Sequence, residues 1–296
     1  MSETNFLTKY KKKYESEKAG RGENTQVIVS LTRHEDPLKT PEGMSSDKIT
    51  DEGLKKAKKT GQKETTPYIL LYGSHSVKRA RETGQAFAEG IDSNVDLENM
   101  AEIINKKIKK GSKTIAGEFG VYAMPDLDPI GKLGVVLKPY LNEAQEKISR
   151  KELEESQKLT YAIQKFLDTP DKKFEEWNAE TPRQAAARLA HYLNIVGIKQ
   201  SGRLFSEFKL KAKSITHCPA IESLLKFVLK DKNKVGFKDL SEIGGATTPG
   251  ESIDFDIQRD ENGELKPITI KMRGKEMEMD MEKFNELLRE YKAVKK

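Results

Sequence analysis

Three short clusters in this chain carry side chains that can do chemistry together. Thr32-Arg33-His34 follows an apolar run at 26–32, Arg79 comes shortly after a second run at 68–72, and Thr216-His217 closes a third at 208–216. Each lies at the carboxyl end of a β-like run, where the loops of an open α/β sheet converge on a ligand. Two histidines and two arginines on one rim point to chemistry on phosphate. A guanidinium matches phosphate oxygens with a planar fork, and a neutral imidazole nitrogen can attack phosphorus. Attack by His34 would split phosphoryl transfer into two easier steps. Arg33, Arg79 and a protonated His217 would supply the fixed positive charge that the equatorial oxygens require. Arg79 adds a second source of anion affinity, because it opens a helix directly after a strand.

The elements that must position these groups are read from periodicity. Residues 26–32 and 68–72 are short, β-branched or apolar strands, and 208–216 is a third strand in which lysines alternate with apolar residues. Residues 33–46 read as a loop containing Pro37, Pro41 and Gly43. Thr50 caps the next helix, with Asp51 and Glu52 in a first turn that favours negative charge. A second helix spans about 77–88 and stops at Gly90, and residues 114–124 form a glycine-interrupted strand. Leu159, Ile163, Phe166 and Leu167 share one helical face; Ala185, Leu189, Tyr192, Leu193 and Val196 share another, opened by Thr181-Pro182. Ile221, Leu224, Leu225, Val228 and Leu229 make a further amphipathic helix. Near the end, 253–257 and 268–272 flank the hairpin signal Asn262-Gly263, before a helix face of Phe284, Leu287, Leu288 and Tyr291. This alternation predicts a three-layer α/β/α fold with a mostly parallel central sheet and an edge hairpin. A tail at 1–24 precedes a single domain at 25–296, with an insertion at about 91–181 and the hairpin and helix at 251–296.

Composition bounds the rest. The 296 residues carry 53 basic and 47 acidic side chains, net +6, interleaved as on a solvated mixed surface. That argues against a nucleic-acid stripe. A single cysteine, Cys218, excludes an intramolecular disulfide and fits a reducing compartment. With no apolar run of membrane-spanning length and no hydrophobic signal core at the start, the expectation is a cytoplasmic protein without membrane partners. No phosphate-binding Gly-x4-Gly-Lys occurs. Cys218 does not open a Cys-x5-Arg phosphate loop, because Leu224 stands where the arginine is needed. The four histidines lack the i,i+4 spacing of a zinc helix.

In order and spacing the motifs resemble the histidine phosphatase superfamily, the phosphoglycerate mutase-like enzymes. The similarity rests on Thr32-Arg33-His34, Ile49-Thr50-Asp51-Glu52-Gly53, the run His75 to Thr83 containing Arg79-Ala80, Glu180-Thr181 followed by Arg188, and Thr216-His217. It extends from about Gln26 to Leu229. The resemblance implies a phosphomonoester hydrolase in which His34 is the nucleophile and Arg33, Arg79 and His217 form the phosphate pocket. It implies no metal or other cofactor. The substrate is then a phosphorylated small molecule or a phosphoprotein, and the oligomeric state is open. Glu118, in Ala116-Gly117-Glu118-Phe119-Gly120, is similar to the family's general acid, with Asp126 and Asp128 in reserve. Three positions depart from the family pattern. Glu35 replaces a glycine beside the nucleophile, Thr40 stands nearest a phosphate-binding asparagine, and Cys218 follows the late histidine. Those departures keep a second reading in view, a non-catalytic relative that binds a phosphorylated ligand or partner.

Overall fold

The computed structural model describes residues 21–39, 45–66, 69–91, 121–129, 133–232 and 234–294. The chain opens with β1 (Gln26–Arg33), a two-stranded pair β2 (Pro37–Lys39) and β3 (Ser45–Ile49), and helix α1 (Asp51–Gln62). Thr50 caps α1, its hydroxyl accepting from the Gly53 amide, as its position before two acidic residues predicts. β4 (Ile69–Ser74) and α2 (Lys78–Ile91) follow, then β5 (Val121–Met124), α3 (Leu133–Ser149) and α4 (Lys158–Leu167). α5 (Pro182–Leu193) starts with a capping box between Thr181 and Gln184 and has proline in its first turn. The last third comprises β6 (Lys209–Thr216), α6 (Ala220–Val228), β7 (Leu229–Asp231), β8 (Lys234–Val235), β9 (Ser252–Gln258), β10 (Thr269–Met272), β11 (Lys275–Met279) and α7 (Met281–Val294). Among the described residues no helix is long and apolar enough to cross a membrane.

One nine-stranded sheet carries the fold, in the order β5-β4-β6-β1-β9-β10-β11-β7-β8. Its β5-β4-β6-β1 portion is parallel. Every pairing from β1/β9 to β7/β8 is antiparallel. The sheet is therefore mixed and mostly antiparallel, a correction to the mostly parallel arrangement expected. The hairpin signalled by Asn262-Gly263 is not at an edge either. β9 pairs along β1 and β10 along β9, so the hairpin sits inside the sheet. β11, β7 and β8 extend it outward: LKD and KV are too short to show a period, and the Glu-Met-Glu-Met alternation of KEMEM spans only four residues. The expected loop at 33–46 contains β2 and the start of β3, and α3 occupies part of the insertion for which no element was expected.

The two faces of the sheet differ. Val27, Val29 and Leu31 of β1 face a large core shared with α5, α6 and α7. Ile69 and Leu71 of β4 face a small cluster with Phe87, Ala88 and Ile91 of α2. The lysines that alternate along β6 belong to this second, more polar face. Lys211 pairs with Glu64 at 2.8 Å, and Lys213, almost fully buried, donates to Ser252 Oγ at 2.7 Å while lying over the Phe87 ring. The alternation is thus a strand pattern with paired cations in place of half its apolar side chains. The chain joins the domain before β1: the Gly22 amide donates to Leu204 and the Asn24 amide to Asp260.

Candidate active site

The parallel register of β1 and β6 decides which side chains meet. Arg33 lies opposite Thr216, so the next residues, His34 and His217, emerge side by side at the carboxyl rim. The His34 amide donates to the Thr216 carbonyl at 2.9 Å, joining the two turns. β4 ends at the same rim and feeds α2, whose second residue is Arg79. Arg79 Nε donates to His34 Nε2 at 2.9 Å, and its terminal nitrogen donates to the Ser46 carbonyl at 3.1 Å. Thr83, one turn further along α2, accepts from the Glu35 amide at 3.1 Å and donates to the Arg79 carbonyl at 2.9 Å. The Arg-Ala-x-x-Thr segment therefore ties α2 to the residue after His34 while aiming Arg79 at the imidazole.

The hydrogen bonds fix the state of His34. Its Nδ1 lies 2.7 Å from the Glu35 carbonyl. A carbonyl can only accept, so Nδ1 carries the proton and Nε2 keeps its lone pair. Burial, with smaller contributions from the charges of Arg79 and Arg33, lowers the imidazole pKa from its ordinary 6.5 to about 4. His34 is thus neutral at pH 7, with its unprotonated Nε2 facing Arg79 at the rim.

His217 departs from expectation in its charge. Burial, together with Arg188, His34 and Arg79, pushes its pKa well below the ordinary value, so the imidazole is neutral among these groups rather than protonated. The physical reason is that it stands fully desolvated beside two guanidinium ions, which no sequence spacing reveals. Thr216 Oγ1 donates to the Leu127 carbonyl and lies 3.4 Å from His217 Nδ1, while His217 Nε2 is buried without a hydrogen-bond partner. Such a nitrogen can accept from a protonated phosphate oxygen, or take up a proton when an anion offsets the neighbouring cations.

The carboxylates sort by their partners. Glu35 does not enter the rim as a competing anion: its carboxylate occupies the space beside Gly250, and Lys56 Nζ stands 3.3 Å from Oε2. Burial raises the Glu35 pKa, and Lys56 opposes that rise. Asp128 accepts from Ser74 Oγ at 2.5 Å and the Ser76 amide at 2.9 Å, closing the turn from β4 to α2. Asp126 accepts from His191 at 2.9 Å and Tyr291 at 2.8 Å. Both reserve acids thus hold structural hydrogen bonds. Glu118 and Thr40 lie outside the described residues.

Arg188 and Glu180 form a buried bidentate pair, at 3.0 and 2.6 Å, and Arg188 also donates to the Asp126 carbonyl at 2.5 Å. This places the Arg188 charge beside His217 and fastens the turn after β5 to the rim. Cys218 is a free, partly buried thiol. Burial pushes its pKa up to about 11, against the pull of Arg33, so it is a thiol rather than a thiolate. Sequence reasoning missed Thr247, whose carbonyl accepts from the Arg33 guanidinium across 214 residues of chain. A threonine in a glycine-rich loop gives no signal for that contact.

Comparison with solved structures places this architecture. Phosphoglycerate mutase from Bacillus anthracis superposes with a TM-score of 0.50 at 12% identity, covering 90% of this chain and 98% of that one. A mycobacterial glucosyl-3-phosphoglycerate phosphatase with inorganic phosphate gives 0.45 at 12% identity, covering 84% of this chain and 97% of that one. No protein-family model and no curated protein sequence matches the chain. The chain has the fold of that phosphoglycerate mutase.

Proposed function

We propose that this protein is a phosphomonoester hydrolase working through a phosphohistidine on His34. The observation that carries the reading is the orientation of that imidazole: Nδ1–H is held by the Glu35 carbonyl, and Nε2 meets Arg79 at 2.9 Å. A phosphoryl group competing for the Arg79 guanidinium frees the Nε2 lone pair at the moment it brings phosphorus within reach. Nε2 then attacks phosphorus as the bond to the leaving oxygen breaks. Arg33 and Arg79 balance the equatorial charge, and the leaving oxygen takes a proton from an acid. By the family resemblance that acid is Glu118. Water then attacks the phosphohistidine, giving a proton to the carboxylate left by the first step as the bond from phosphorus to Nε2 breaks; phosphate is released, and the acid and neutral His34 are restored.

Hydrolysis of p-nitrophenyl phosphate and a panel of sugar, nucleotide and protein phosphoesters tests the reading. Wild-type turnover should fall by about a thousandfold or more in His34→Ala, as for loss of a covalent nucleophile. Unchanged turnover in that variant would overturn the proposal. Binding of a phosphoester without consumption would favour a ligand-binding relative.

A further inference from the structure

We propose that Glu222 is a positioning residue for Arg33, acting through Thr247 to hold the guanidinium that reads the phosphate. This rests on the phosphate-binding reading above. Among the described residues, the buried side-chain atoms without a hydrogen-bond partner are Arg33 Nε, Glu35 Oε2, His217 Nε2 and Glu222 Oε2. The first three belong to the rim or the residue beside His34. The fourth belongs to a carboxylate that the family motifs do not include.

Glu222 is fully buried in the first turn of α6, five residues beyond His217 in the chain. Side chains there lean back toward the helix N-terminus, which faces the rim. A buried carboxylate is costly unless donors satisfy it. Glu222 Oε1 has two, the Thr247 amide at 2.8 Å and the Thr247 hydroxyl at 2.6 Å. The carbonyl of the same residue accepts from Arg33. One threonine therefore links the carboxylate to the phosphate-reading arginine.

The rest of that loop clasps the Arg33 backbone. The Gly250 amide donates to the Arg33 carbonyl at 3.0 Å, and the Arg33 amide donates to the Glu251 carbonyl at 3.0 Å. From outside, Arg273 grips the Glu251 carboxylate at 2.6 and 3.0 Å and the carbonyls of Gly245 and Ala246 at 3.1 and 3.0 Å. Arg33 is thus held before any anion arrives, which lowers the entropy lost on binding.

The test is a double-mutant cycle on the full chain, read by calorimetric titration with inorganic phosphate. Glu222→Ala should weaken phosphate binding about tenfold, the usual scale for an outer-shell partner. Glu222→Gln should retain most of the affinity, because its amide oxygen can accept from the same two donors. In an Arg33→Ala background, Glu222→Ala should cause no further loss. Equal loss in both backgrounds, or none in either, overturns the inference. Should Glu222→Ala fail to fold, Arg273→Ala loosens the same loop from outside and should show the same dependence on Arg33; independence there also overturns it. A wild-type protein that binds no phosphate overturns the phosphate reading itself, and this inference with it.

Discussion

At the scale of single residues, chemistry here depends on charges that burial suppresses. His34 titrates at about 4 in the folded chain, against an ordinary 6.5. Between those values the unfolded chain binds a proton that the folded chain does not, so acid favours unfolding. Replacing His34 by Gln removes that linkage. The variant should therefore gain on wild type by about 2 kcal/mol as pH falls from 7.5 to 4.5, measured by urea melts at both values. A difference independent of pH would contradict the assignment. That Arg33, His34, Arg79 and His217 come to one rim was legible because each follows a recognisable strand or opens a helix. The neutral state of His217 was not, since it depends on Arg188 reaching the rim from α5. Nor was the harmless placement of Glu35, which depends on Gly250 and Lys56 arriving from elsewhere in the chain.

Away from the rim, at the carboxyl ends of α1 and α2, backbone approaches backbone. α1 and α2 touch at Gly61 and Gly90, where a Cβ on Gly61 would stand 2.1 Å from the Phe87 carbonyl oxygen and one on Gly90 2.1 Å from that of Lys58. Neither obstacle is a flexible side chain. Gly61→Ala should cost about 2 kcal/mol by thermal melt, the crowding outweighing the helix propensity gained. A stabilised variant would show that the helices can part freely. Gly90 was legible as a helix stop, but α2 runs through it to Ile91, because close packing rather than termination requires glycine there. Capping signals were more faithful: Thr50 and Thr181 both cap as their sequences imply, since the partner donors lie within the next turn. Strands β7 and β8 were illegible, being three and two residues long, whereas β11 carries a brief Glu-Met alternation that was not read as a strand.

Across the whole molecule, the parallel strands that carry the rim and the antiparallel strands beside them share one sheet, joined where β9 pairs with β1. One buried cluster runs from Val27 in β1 to Leu288 in α7. Unfolding should therefore be a single cooperative transition, with near- and far-ultraviolet circular dichroism changing together. Separate transitions would mean that the antiparallel half folds on its own. The alternation of strands and helices made the α/β class legible, while the internal place of the hairpin was hidden, since sequence order says nothing of which side of β1 is open. The fold brings a neutral His34 into contact with Arg79 at the rim that also carries Arg33, and the proposed hydrolysis requires that the His34 Nε2 become phosphorylated. That phosphorylation is tested by acid and base treatment of protein quenched within milliseconds of mixing with a 32P-labelled phosphomonoester. An acid-labile, base-stable label is expected on the wild-type chain and none on His34→Ala. Turnover that leaves no such label, or a label that persists in His34→Ala, would contradict it.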